Sequence, residues 1–257
     1  MTLMSAFRVE DLEVRVFATA AELGAEAAAD AASAIRKAVD ERGGANVMFA
    51  SGNSQFAFLD ALTSLDDVPW SNVIGFHMDE YVGMDATHPA SFARYMLERI
   101  IDVVHPARFH CVDGTNDPVR ECERYSSLLR EHPLDLCCLG VGENGHLAFN
   151  DPPFADFDDP VDVKVITLDD ASRRQQVGEG HFATIDDVPH TAVTVTIPAL
   201  LRARRVLAIV PEARKSAAVE RALHGPISTD CPASILRHVR HATLYLDAAS
   251  AADVANV

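Results

Sequence analysis

Short apolar runs, each closed by a small or polar turn, alternate along this chain with stretches of helical period. Asn46-Val47-Met48-Phe49-Ala50 reads as a buried strand, Ser51-Gly52-Asn53-Ser54 ends it, and Gln55 to Leu62 resumes the helical period. The same reading predicts strands over 72–77, 135–140, 163–168, 192–197, 205–210 and 242–246, and helices over 88–104, 118–131 and 213–224. Thr19-Ala20-Ala21-Glu22 has capping-box spacing, and the Ala-rich segment after it stays helical in composition up to Gly43-Gly44, where glycine can end it. Strands alternating with helices predict an α/β fold: a single doubly wound, mostly parallel sheet, Rossmann-like, flanked by helices. Residues 151–162 form a long, acidic, proline-containing connection that reads equally as a lid or as a solvated surface loop.

Composition narrows the classes. With 257 residues, 48% hydrophobic and 23% charged, and no linker-like or repeated segment, the chain is expected to form one domain over 1–257. A net charge of −16 repels polyanions, which argues against nucleic acid and anionic membranes as partners and obliges any anionic ligand to find a local cationic pocket. Of the 22 basic residues only Lys37, Lys164 and Lys215 are lysines; the Arg and Asp bias fits either salt adaptation or high-GC codon usage. Five cysteines without metal spacing, Cys137 and Cys138 adjacent in an apolar run, suit a reducing cytoplasm and read as small buried hydrophobes. No signal-peptide pattern or membrane-length apolar run is present, so a cytoplasmic location is expected.

Chemistry concentrates at strand ends. Leu134 to Leu139 run into the turn Gly140-Val141-Gly142-Glu143-Asn144-Gly145-His146, with Asp151 five residues beyond the histidine. The glycines allow close approach to the backbone, and Asp151 could fix the imidazole tautomer. Asp79-Glu80 follows the strand 72–77 directly; a carboxylate there could remove a proton from a carbon next to a carbonyl, or both acids could simply be loop or capping residues. Ser51, Gly52, Asn53, Ser54 and Gln55 could receive a phosphate at a helix start, or serve as an ordinary N-cap. Arg173, Arg174, Arg214 and Lys215 complete the candidates; surface ion pairing is the default for such residues, whereas Lys215, opening a helix after a strand, could meet a phosphate as a point charge.

Taken in order, the Ser51 turn, Met78-Asp79-Glu80-Tyr81-Val82-Gly83, Gly142-Glu143-Asn144-Gly145-His146-Leu147-Ala148-Phe149-Asn150-Asp151-Pro152, Thr191-Ala192-Val193-Thr194-Val195 and Pro232-Ala233-Ser234-Ile235-Leu236 resemble the glucosamine-6-phosphate deaminase (isomerase) family over nearly the whole chain. The 6-phosphogluconolactonases share that fold, but usually carry Asp-Glu-Arg in the acidic turn and Thr-Ala-Ser after the histidine; Tyr81 and Leu147-Ala148-Phe149-Asn150 here favour the deaminase side. The resemblance implies Asp79 as the base moving a proton between C2 and C1, and His146 as the ring-opening group, held by Asp151 and Asn144. Ser51 to Gln55, Arg173 and Lys215 would hold the phosphate. Family members usually have Glu at the position of Asp151, and Asp or Asn at that of Asn144, so Asp151 reaches one methylene less. The implied partner is a small sugar phosphate and the implied cofactor none, and assembly into a homo-oligomer is allowed. Activation by an acetylated amino-sugar phosphate is not expected, because Phe154 to Asp162 is acidic where regulated members place Ser and Arg. A lactonase, another sugar-phosphate isomerase and a non-catalytic sugar-phosphate sensor domain are the alternatives. The last is disfavoured because residues 1–18 are too few and not basic enough for a DNA-binding domain.

Overall fold

The larger of two sheets in the computed structural model has eight strands in the order β1-β2-β11-β10-β7-β3-β4-β6, and the structure describes residues 3–178 and 180–254. These strands are β1 (Leu3–Val9), β2 (Leu12–Phe17), β3 (Ala45–Phe49), β4 (Val73–His77), β6 (Arg108–His110), β7 (Leu136–Leu139), β10 (Arg205–Val210) and β11 (Ala242–Asp247). All neighbours are parallel except the β1–β2 hairpin. This is the mostly parallel, helix-flanked sheet expected from the sequence. The hairpin on its edge and the short β6 were not anticipated.

Side chains of each central strand divide between the two faces, as a parallel sheet covered on both sides requires. Val47, Phe49, Cys138 and Ile209 pack beneath the helices Ala20–Arg42 and Phe56–Thr63, whereas Met48, Cys137, Leu139 and Ala208 pack with the helices Pro118–Glu131 and Ser216–His224. Cys137 and Cys138 thus bury on opposite faces, and all five cysteines are free. Thr19 Oγ1 accepts from Glu22 N at 3.2 Å, and Gly43, at φ 79°, ends the same helix with its N–H on Val39 O. Among the described residues no helix is long and apolar enough to cross a membrane.

The strands over 163–168 and 192–197 were expected in the same sheet; instead β8 (Val163–Thr167) and β9 (Thr191–Val195) pair antiparallel with each other, and β5 (Asp79–Tyr81) joins the other side of β9. The small three-stranded sheet arises because β4 does not end the strand at His77: Asp79-Glu80-Tyr81 continues into pairing with β9. The helix anticipated from residue 88 begins at Phe92, where Ser91 Oγ accepts from Arg94 N and supplies the cap. Residues 152–162 contain no helix or strand and are pinned by Lys164, whose Nζ donates to Phe154 O and Asp159 Oδ2, both at 2.7 Å.

The chain leaves β3 toward β4 and β6 on one side, then returns through β7 to β10 and β11 on the other. Strand order therefore reverses between β3 and β7, and the crevice beyond their carboxyl ends is where open α/β sheets place ligands.

Candidate functional site

A cleft with about 580 Å³ of empty space opens at this crevice, lined among others by Ser51, Gly52, Ser54, Met78, Asp79, Gly142, His146, Gln176 and Lys215. Each segment arrives from a different strand: 50–54 follow β3, Met78 and Asp79 follow β4, 140–146 follow β7, and Lys215 lies beyond β10.

Strand β9 sets the spacing between Asp79 and His146. Asp79 sits opposite Thr194 in the β5–β9 ladder. On the far side of the cleft, Phe149 N donates to Thr194 Oγ1 at 3.1 Å, and Asn150 Nδ2 donates to Leu147 O at 2.8 Å and Val195 O at 2.9 Å. The turn bearing His146 is thus tied to Thr194, which registers Asp79, and to Val195, whose N–H donates to Met78 O at 2.8 Å. From below, Ala233 N donates to Gly145 O at 2.8 Å, which gives the Pro232-Ala233-Ser234 motif a structural task. Gly145, at φ 94°, leaves no room for a side chain, since a Cβ would lie 2.6 Å from Cys231 Sγ.

His146 Nδ1 donates to Asp151 Oδ1 at 2.9 Å, so Nε2 is the ring's remaining acceptor. The same Oδ1 accepts from Asn144 Nδ2 at 3.0 Å and from Ser172 Oγ at 2.5 Å, and Asn144 Oδ1 accepts from His146 N at 3.0 Å. Asp151 is fully buried, which pushes its pKa up, but the bonds from His146, Asn144 and Ser172 outweigh burial and hold it below the usual carboxylate value. Asn144, being an amide, serves Asp151 as a donor, so among the described residues the carboxylate paired with the imidazole is that of Asp151. The shorter Asp reach still achieves direct contact.

Asp79 stands in a different field. Burial, then the negative charges of Glu80 and Asp151, raise its pKa to about 8. Glu80 points away from the chemistry: Oε2 accepts from Ser91 Oγ at 2.6 Å and Ala93 N at 2.9 Å, and Oε1 from Tyr81 N at 2.9 Å, so it caps the helix Phe92–Met96. Burial nevertheless raises its pKa.

Of the expected phosphate-holding residues, Ser51, Gly52, Ser54 and Lys215 line the cleft; Asn53 and Gln55 do not. Gln55 Nε2 donates to Ile209 O at 3.1 Å, fixing the turn against β10. Arg173 is also outside the lining. Its guanidinium donates to Ile185 O at 2.6 Å and Val188 O at 3.3 Å, so in this structure it anchors the helix Asp170–Gly178 to the turn below. That helix instead brings Ser172 onto His146 and Asp151, and Gln175 and Gln176 into the cleft. These three neutral residues carry no charge signal, and the sequence pattern predicts no helix over 170–178 on which their spacing would show as one face. None of residues 152–162 lines the cleft, which leaves the lid reading without support.

A family model described as glucosamine-6-phosphate isomerases/6-phosphogluconolactonase matches residues 18–245. A glucosamine-6-phosphate deaminase of Lactobacillus delbrueckii subsp. bulgaricus is 31% identical over 243 residues, 93% of this chain and 98% of its own. One of Exiguobacterium sibiricum is 32% identical over 204 residues, 79% of this chain and 78% of its own. Among solved structures, a monomeric glucosamine-6-phosphate deaminase superposes with a TM-score of 0.85 at 30% identity, covering 93% of this chain and 99% of that one. A 6-phosphogluconolactonase of Shewanella baltica superposes with a TM-score of 0.75 at 18% identity, covering 94% and 99%, a likeness of fold.

Proposed function

The chain belongs to the glucosamine-6-phosphate isomerase/6-phosphogluconolactonase family, and on that premise we propose that it is a glucosamine-6-phosphate deaminase, converting the amino-sugar phosphate and water to fructose 6-phosphate and ammonia. The observation that carries this reading is the convergence of Asp79 and the His146–Asp151 pair on one cleft that Ser51, Gly52, Ser54 and Lys215 also line.

His146, with Nδ1–H committed to Asp151, presents Nε2 to take the proton of the C1 hydroxyl and deliver it to the ring oxygen, opening the pyranose. Asp79 then removes the C2 proton and returns it at C1 while one ammonium proton passes to O1, which leaves a C2 iminium that water hydrolyses to the ketone with loss of ammonia. To act as a base Asp79 must be ionised, and its raised pKa keeps it largely protonated in the empty site. A substrate ammonium group next to the carboxyl favours the charged form, because an opposite charge within a few ångströms lowers a carboxyl pKa. An amino sugar therefore prepares its own base. A lactone, which carries no cation, gives Asp79 no such assistance. Ser51, Gly52, Ser54 and Lys215 hold the phosphate through N–H, hydroxyl and ammonium donors, the local cationic pocket that the acidic chain requires.

The test is a coupled assay for ammonia release from glucosamine 6-phosphate beside hydrolysis of 6-phosphogluconolactone. Ammonia release that is lost in Asp79→Asn is the expected result; efficient lactone hydrolysis with no ammonia from any amino-sugar phosphate moves the protein to the lactonase class.

A further inference from the structure

Gln176 has a buried amide with no assigned work. The residue is 6% exposed and lines the cleft, and its Oε1 has no hydrogen-bond partner among the described residues. It stands four residues after Ser172 on the helix Asp170–Gly178, hence on the same helix face. Ser172 binds Asp151 and contacts His146, so the face that supports the catalytic pair also delivers Gln176 to the substrate space. Its neighbour Gln175 differs: Gln175 Oε1 accepts from Glu143 N at 3.2 Å and so holds the glycine turn.

The geometry points to Gln176 as a specificity-determining residue that reads a secondary hydroxyl of the sugar, at C3 or C4. This rests on the deaminase reading. With the phosphate at Ser51, Gly52, Ser54 and Lys215, and C1 and C2 at Asp79 and His146, the donors left along the substrate are the hydroxyls between the two ends. A primary amide offers one acceptor and two donors, and a half-turn about its last bond, whose torsion is roughly two-fold, presents either end to a hydroxyl. The cleft lining also includes Phe92, Ala148 and Phe149, which offer apolar surface. A buried carbonyl left without a donor is costly, so a site built this way discriminates against a sugar that lacks the matching hydroxyl or carries it in the opposite configuration.

The experiment compares wild type with Gln176→Leu on glucosamine 6-phosphate, its 3-deoxy and 4-deoxy analogues, and the C4 epimer. Wild type should lose roughly ten- to hundredfold in kcat/KM on one of the two deoxy analogues. Gln176→Leu should lose a similar factor on the parent sugar and almost nothing further on that analogue, while the other analogue remains as sensitive as the parent. Equal losses for Gln176→Leu on all substrates would overturn the inference, as would wild-type indifference to both deoxy sugars; the second outcome decides even if the variant does not fold. Binding of the same compounds is followed in parallel as the ligand-induced rise in Tm. A wild type that binds them but releases no ammonia refutes the deaminase reading, and the binding cycle still decides the role of Gln176.

Discussion

Asp79→Asn should stabilise the folded protein, and by an amount that grows with pH. Asp79 titrates near 8 in the folded chain against about 3.8 as a free side chain. Between those values the folded state binds the proton and the unfolded state does not, so stability falls as pH rises, by about 1.4 kcal/mol per pH unit. By pH 7 this amounts to roughly 4 kcal/mol if the carboxyl were cut off from water, and water entering the open cleft reduces it to roughly 2–4 kcal/mol. Asparagine is neutral at every pH and removes the penalty. Urea unfolding of both proteins at pH 4.5, 7 and 8.5 should show curves that nearly coincide at the lowest pH and separate progressively, with the variant the more stable. A difference that does not change with pH, or a variant less stable at pH 7, would show that Asp79 is not held neutral, and the idea that substrate charge ionises it would fall with it.

Other outcomes follow from the same contacts. In wild type, kcat/KM should climb through the pH range just below 8 as free Asp79 loses its proton, read from a pH profile of ammonia release; a profile flat over pH 6–9 contradicts the raised pKa. Ser172→Ala removes one of the donors holding Asp151 ionised, so the Asp151 pKa should rise and kcat should fall by roughly tenfold with little change in KM. Lys215→Ala should raise KM more than it lowers kcat, and an unchanged KM removes Lys215 from the phosphate end. Gly142→Ala would place a Cβ 2.3 Å from His146 Cε1 and Nε2. Displacing the imidazole by that contact should cost about a hundredfold in kcat, with thermal unfolding showing a chain that still folds.

The parallel strands were legible because a sheet covered on both faces writes itself as uninterrupted apolar runs, and β10 occupies the predicted 205–210. The β1–β2 hairpin was equally available: Leu12, Val14 and Val16 are buried while Glu13 and Arg15 between them are not, a period of two. That alternation runs over only five residues, Leu12 to Val16, and does not stand out beside the longer apolar runs. The second sheet was hidden for a different reason. Asp79-Glu80-Tyr81 has no strand signal of its own, and its extended form comes from pairing with β9, a contact between residues more than a hundred positions apart.

Legibility in the site divides along the same line. Asp79, His146 and Asp151 could be picked out because glycines and acids at strand ends are locally unusual, whereas Asn144 entered only through the family resemblance. Ser172 and Gln176 could not, because their significance depends on which face of the helix Asp170–Gly178 meets the cleft. Charge misled in one further respect. Counting acids makes the site look hostile to a phosphate, with Asp79, Glu80 and Asp151 close together. The three are not equivalent: the raised pKa of Asp79 favours its neutral form at pH 7, Glu80 is turned onto Ser91, Ala93 and Tyr81, and one oxygen of Asp151 takes three donors. A phosphate entering beside Lys215 therefore meets one negative charge fewer than the sequence suggests, and Asp79 ionises most readily when the ligand brings a positive charge of its own.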